Sequence, residues 1–169
     1  STGWIVALAS PTSSDKGFNW AKVVKHEFVH IVTLQQTQFN CPHWFTEALA
    51  VMSEETPRPE VWTKLLLERV PKGELMNLDT INLGFQRPKT PLDWQMAYCQ
   101  SHLYAKYLIE KHGADSLQKL LNAYREGLST SQAIEKVCGQ KQAEFEKGYV
   151  AYLTELTSKL QTLDAEPKA

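Results

Sequence analysis

Apolar residues recur at three- and four-residue steps along most of the chain, and this spacing predicts a mainly helical fold. Residues 4–10 differ, because they form a short apolar run that ends at Pro11 and is typical of a β-strand. Helices are predicted over these approximate ranges: 18–36, 42–55, 60–70, 91–111, 115–126, 131–138 and 141–160.

Local signals support several of these helix boundaries. Thr90 precedes a proline and an acidic residue, which is typical of a helix start, and Gly113 is typical of the end of the same helix. Ser129 and Gln132 fit a capping box at the start of the next helix but one. Residues 71–90 are rich in turn formers, so we predict an irregular loop there that borders a cleft.

The length of 169 residues fits one domain with a sizeable buried core. We predict a single domain over 1–162 and a frayed tail over 163–169. A lone strand is not stable in water, so the strand at 4–10 needs partners in the chain or upstream of Ser1. Because the chain begins with Ser1 rather than Met, we expect a processed protein or part of a longer one, and its compartment stays open.

Composition and charge exclude two classes of partner. Hydrophobic residues make up 43% and charged residues 22% of the chain, as in ordinary soluble domains. The net charge is -1 and basic residues are not clustered, so no nucleic-acid partner is expected. No apolar stretch reaches the roughly 20 residues that a membrane-spanning helix needs. These numbers leave the oligomeric state open.

The segment from His26 to His30 reads His-Glu-x-x-His on a predicted helix. Residues four apart share one helix face, so both imidazoles can reach the same ion. Glu27 lies beside that face, where it can take a proton from a metal-activated water. This pattern predicts a catalytic zinc site with His26 and His30 as ligands, one zinc per chain.

A catalytic zinc ion usually has three protein ligands and one open position. Glu47 is the best candidate for the third ligand, because it lies on the next predicted helix within an apolar run. His43, one turn earlier, and Glu54 are rival candidates.

These motifs carry a family resemblance. The spacing from the paired histidines to the segment Pro42–Ala50, which contains Trp-x-x-Glu-x-x-Ala, resembles the gluzincin group of metallopeptidases, and most of all its short peptidase MA-like branch. A weaker match continues over 97–113. The chain departs from that branch at Ala48, where glycine is common. It also departs from thermolysin-like gluzincins at Val51, where they have an aspartate that orients a zinc histidine; a backbone carbonyl, Glu54 or Asn40 is expected to replace it.

The resemblance implies a zincin-like domain of mainly α (α+β) class, with a small N-terminal β element and a helical C-terminal part. It implies a zinc-dependent peptidase acting on peptide or protein substrates, with Glu27 as general base. Gluzincins use a tyrosine or histidine after the glutamate helix to stabilise the oxyanion, which indicates Tyr98 or, one turn later, His102. The strand at 4–10 would then be an edge strand that pairs with the substrate, and an internal packing strand is the alternative.

Two readings from other classes stay open. One is a catalytically inactive zincin-like domain that binds peptides or protein partners; the intact Glu27 argues against it. The other is a helical scaffold with structural histidines. The chain is also short for this architecture, which indicates a fragment or a reduced version.

Overall fold

The computed structural model of this chain describes residues 19–165. Within that range the chain forms helices and no strand, which confirms the mainly α prediction; the strand predicted at 4–10 lies outside the described residues. The helices are α1 (Trp20–Gln36), α2 (His43–Ser53), α3 (Glu60–Arg69), α4 (Ile81–Gln86), α5 (Pro91–His112), α6 (Ser116–Arg125), α7 (Thr130–Cys138) and α8 (Gln142–Ala165).

The core is centred on α2 and α5, which share the largest interface between two helices of the described chain. Trp44 and Phe45 at the start of α2 are fully buried, and they contact Tyr104 of α5 and Tyr124 of α6. Tyr149 of α8 stacks on Tyr104 with ring centroids 3.6 Å apart. Complete burial of a large apolar side chain contributes about 1.5–3 kcal/mol, so this aromatic cluster fixes α2 firmly on the core.

The predicted caps of α5 and α7 are confirmed. Thr90 and Asp93 form a reciprocal capping box at the start of α5, and Ser129 and Gln132 form another at the start of α7. Asp93 also accepts a 2.7 Å hydrogen bond from Nη1 of Arg69, which ties α3 to the start of α5. These contacts satisfy backbone N–H groups that the first helical turn would leave without partners.

Two helix predictions were wrong. The segment 71–90, predicted to be irregular, contains α4, because Ile81 is fully buried against the core. Asn82 of α4 also accepts a 2.9 Å hydrogen bond from the backbone N–H of Trp44, which caps α2 from outside. The last helix was expected to end near residue 160 but extends to Ala165.

Within the described part of the chain, none of the helices has the length and apolar character needed to cross a membrane. The domain boundaries at 162 and 163 stay a prediction.

Candidate metal centre

The two predicted metal-binding helices pack against each other, and α1 presents both of its histidines to α2. His26 and His30 lie one turn apart with ring centroids separated by 4.9 Å. Glu47 of α2 faces them and is only 6% exposed. One ligand atom from each of the three residues lies within 4.8 Å of the other two, so the trio can hold a metal ion.

The separations within this trio fit a tetrahedral zinc site. Oε2 of Glu47 lies 3.5 Å from Nε2 of His26 and 3.6 Å from Nε2 of His30. Two ligands at about 2.1 Å from one tetrahedral ion are roughly 3.4 Å apart, which is close to both values. The same Oε2 is buried and has no hydrogen-bond partner among residues 19–165. A buried carboxylate oxygen needs a partner, and a divalent cation would supply one.

A carboxylate on the far side orients His26. Nδ1 of His26 lies 2.8 Å from Oε1 of Glu54, and the other oxygen of Glu54 pairs with Nζ of Lys22 at 2.8 Å. When Nδ1 carries the proton and donates it to Glu54, Nε2 keeps its lone pair toward Glu47. This is the usual arrangement of a metal-binding histidine, whose second nitrogen donates to a carboxylate or carbonyl.

Two threonines orient His30 in a comparable way. Nδ1 of His30 lies 2.8 Å from the hydroxyl of Thr46, which is 2.7 Å from the hydroxyl of Thr33. Thr33 in turn donates to the backbone carbonyl of His30. With Thr33 committed to that carbonyl, Thr46 donates to Thr33 and accepts from Nδ1 of His30. Nε2 of His30 is therefore left unprotonated and free to bind a metal.

His43 contacts the other oxygen of the Glu47 carboxylate, with Nε2 3.0 Å from Oε1. Burial alone would raise the pKa of Glu47, but the imidazoles of His26 and His43 outweigh it and lower the pKa to about 2. Glu47 is therefore ionised at neutral pH, as a metal ligand must be. Contact with Glu47 raises the pKa of His26, whereas burial lowers the pKa of His30.

The predicted base and oxyanion donor lie near the same trio. Glu27 directly follows His26 on α1 and is partly buried. The Tyr98 ring on α5 is held between Phe85 at 5.0 Å and Trp94 at 4.6 Å, measured between ring centroids. Burial and the negative charge of Glu47 raise the pKa of Tyr98. Its phenol therefore keeps its proton and can act as a hydrogen-bond donor.

His102 lies one turn after Tyr98 on α5. Both side chains line a cavity of about 280 Å³ that also reaches His26. Burial, with smaller effects from the charges of Lys106 and Arg58, lowers the pKa of His102 to about 4. Its imidazole is therefore neutral at physiological pH.

The sequence left the hydrogen-bond partners of His26 and His30 open, and one of the two partners was not foreseen. Of the groups considered, Glu54 contacts His26, while Asn40 is exposed after the end of α1. The residue not foreseen is Thr46, which precedes the Glu47 ligand candidate by one position and contacts His30. A threonine inside an apolar helix was a signal, because a buried hydroxyl requires a hydrogen-bond partner.

A family model of the Peptidase MA superfamily matches residues 12–155, which is most of the chain. The chain therefore belongs to the Peptidase MA superfamily, and the predicted zincin-like peptidase family is confirmed at that level. Searches of curated proteins and of solved structures gave no match.

Proposed function

We propose that this protein is a zinc-dependent peptidase of the gluzincin type. His26, His30 and Glu47 would hold one zinc ion. The observation that carries the proposal is that Nε2 of each histidine faces the same buried oxygen of Glu47, while each Nδ1 has a hydrogen-bond partner behind it. A helix that carried these histidines only for its own stability would not need both imidazoles turned toward one carboxylate oxygen.

Each catalytic side chain has a separate role in amide hydrolysis. Zinc bound in this set would supply a Lewis acid that polarises the substrate carbonyl and lowers the pKa of water. Glu27 takes the proton of the attacking water and passes it to the nitrogen of the leaving amine. Tyr98 donates a hydrogen bond to the carbonyl oxygen of the substrate as negative charge develops on it. His102, which lines the same cavity, is the alternative donor.

The first test compares the unaltered protein with Glu27→Gln. Both proteins are expected to contain about one zinc per chain by elemental analysis. The probe is a mixture of peptides from digested casein, with cleavage followed by mass spectrometry. Glu27→Gln should lower turnover by about 10²–10⁴-fold, the usual contribution of a general base. Glu68→Gln, an exposed carboxylate on α3, serves as the matched control and should cleave normally.

Other outcomes separate the alternatives. A zinc-loaded protein that cleaves none of the peptides would support the inactive, peptide-binding domain. Full activity in Glu27→Gln would rule out this residue as the base.

Glu47→Ala should lose most of its zinc, and full zinc content would rule out Glu47 as a ligand. Tyr98→Phe should lower kcat with little change in KM, because the hydrogen bond to the developing oxyanion is lost. If kcat falls in His102→Ala and not in Tyr98→Phe, His102 is the residue that donates this hydrogen bond.

A further inference from the structure

The cavity of about 280 Å³ is lined by one residue of the candidate metal centre, His26, and by residues of α2, α3 and α5. His26 and Tyr98 line one part of it, and the segment 56–59 lines another. A chemical group bound in this cavity would therefore lie beside a peptide bond held at the metal centre. The cavity is thus placed to receive the part of the substrate next to the scissile bond.

Aromatic side chains form much of the wall. Trp62 and Trp94 line the cavity together with Val51. The indole N–H of Trp62 donates a 2.8 Å hydrogen bond to Oε1 of Gln95, so its polar atom is already satisfied. The remaining surface of that ring is apolar. Such a wall favours a large apolar or aromatic side chain of the substrate.

Arg58 brings a positive charge into the same cavity. It lies between Pro57 and Pro59, and the ring of Pro59 disfavours a helical backbone conformation at Arg58. Among residues 19–165 no carboxylate forms an ion pair with Arg58, although the molecule pairs many of its other cations. A half-buried guanidinium without a counter-charge favours binding of a planar anion through two parallel hydrogen bonds.

The other charged groups at the cavity do not compete for this role. Lys22 and Glu54 neutralise each other at 2.8 Å, and Glu54 also contacts His26. His102 lines the cavity, and burial lowers its pKa so that its imidazole is neutral. A neutral imidazole beside Arg58 can form a hydrogen bond to an anion without repelling the guanidinium.

We propose that this cavity binds a carboxylate of the substrate next to the scissile bond, through Arg58 and His102, while Trp62 and Trp94 enclose the side chain of the same residue. The proposal rests on the peptidase function above. The carboxylate can come from the C-terminus of a peptide or from an acidic side chain. The aromatic walls favour a C-terminal residue with a large side chain, because a bound Asp or Glu would leave them unfilled. The protein would then act as a carboxypeptidase.

The test measures binding rather than turnover, so it uses the zinc-loaded Glu27→Gln protein. The probes are N-terminally fluorescein-labelled tetrapeptides, read by fluorescence anisotropy. Gly-Gly-Ala-Phe with a free C-terminus is compared with its C-terminal amide and with Gly-Gly-Ala-Glu amide. The free acid should bind about 10-fold more tightly than the amide of the same peptide, a modest effect for a charge-assisted hydrogen bond.

Variants of Arg58 decide whether this residue reads the carboxylate. Arg58→Met should remove the difference between acid and amide, and Arg58→Lys should keep part of it. Arg125→Met, an exposed arginine on α6, is the matched control and should behave like its parent. Equal binding of acid and amide, or an unchanged difference in Arg58→Met, would overturn the proposal. Tightest, Arg58-dependent binding of the Glu amide would support the carboxylate site and assign it to an acidic side chain.

This design separates the two levels of inference. If the protein with intact Glu27 cleaves no peptide but the acid binds through Arg58, the carboxylate site stands and the peptidase function fails. If cleavage occurs while acid and amide bind equally, the peptidase function stands and the carboxylate site fails.

Discussion

The two helices that would hold the metal differ sharply in how they are anchored. Six of the eleven residues of α2 are buried, and its aromatic side chains lie in the core. In α1, which has seventeen residues, Thr33 is the buried one, and Phe28 is 56% exposed. Trp20 and Val24 are also exposed within the described part of the chain. The candidate carboxylate ligand thus comes from the core, whereas both histidines come from a helix at its periphery.

Polar contacts make up much of the attachment of α1 to α2. His26 contacts Glu54, His30 contacts Thr46, and Lys22 pairs with Glu54. Because each such contact contributes only about 0.5–1.5 kcal/mol, a bound metal would add a large share of the energy that holds α1 in place. If the proposed zinc ion is bound, we therefore expect its binding to be linked to the docking of α1, and the fold of α2 and α5 to be independent of it.

Among the changes considered, removal of the metal should have the largest effect on the anchoring of α1 relative to that of the core helices. With zinc at about 100 times its Kd, binding would stabilise the docked state by about 2.7 kcal/mol, so chelation should speed exchange of α1 amides about 100-fold. Amides of α5 should change little, because local opening of a peripheral helix leaves the core intact. Hydrogen–deuterium exchange with and without a chelator measures the amide exchange rates of both helices. Equal acceleration in α1 and α5 would contradict independent anchoring, and no acceleration in α1 would contradict the link to metal.

The hydrogen bond from His30 to Thr46 offers a smaller change at the same interface. Thr46→Val keeps the shape of the side chain but removes the acceptor for Nδ1 of His30. Loss of such a partner typically weakens metal affinity by 10–100-fold, and we expect a decrease of about that size. Competition titration with a zinc indicator measures it, and Thr46→Ser, which retains the hydroxyl, should bind nearly normally. Unchanged affinity in Thr46→Val would show that packing alone orients His30.

Features that depend on a single helix could be predicted from the sequence, whereas contacts that form only when helices pack could not. The spacing of His26 and His30 places them on one face because it depends on helical geometry alone. Caps such as Thr90 with Asp93 are equally local and were confirmed. The contact of Thr46 with His30 arises only when α1 and α2 pack, so no pattern within either helix reports it.

The same reason explains the missed helix α4 and the exposed face of α1. The short helix α4 forms because Ile81 is buried by residues distant in sequence, which outweighs the turn-forming tendency of its neighbours. Apolar positions surround α1 on several sides, and their spacing predicts a helix without indicating which side faces the core. The prediction that Glu47 lies beside the two histidines depends on how α1 packs against α2, and the spacing of residues within either helix does not report that packing.

A change in the core should affect stability without affecting the metal. A Cβ atom added at Gly148 of α8 would lie 2.1 Å from the hydroxyl oxygen of Tyr107. Tyr107 is 5% exposed and packed against Phe145, so the ring has little room to move. Gly148→Ala should therefore destabilise the fold by about 1–2 kcal/mol, although alanine normally favours a helix by up to about 1 kcal/mol.

Thermal unfolding measures this change, with a decrease in Tm of about 2–4 °C per kcal/mol at this chain length. Zinc affinity should stay the same, because α8 lies away from α1 and α2. A rise in Tm would show that the tyrosine moves aside at no cost. A loss of zinc affinity would contradict the separation of the core from the metal helix.

The smallest expected effect is the pH dependence of Glu146, a half-buried carboxyl on α8 beside the core. Burial raises the pKa of Glu146, although the backbone N–H of Leu78 and the hydroxyl of Tyr104 donate hydrogen bonds to it. The folded state then holds the proton more tightly than the unfolded state. The contribution to stability is complete below the ordinary pKa of glutamate and falls as the pH rises through the raised value.

Glu146→Gln removes this titration and can still accept one hydrogen bond. Thermal unfolding at each pH should therefore show that the free energy of unfolding of the variant, relative to that of the unaltered protein, is higher at pH 7 than at pH 4 by less than about 1 kcal/mol. Glu144→Gln, an exposed neighbour on α8, is the control and should show no such trend. A difference that is constant with pH would mean that the hydrogen bonds from Leu78 and Tyr104 offset the cost of burial. An opposite trend would mean that they exceed it, and that this carboxylate stabilises the core in its charged form.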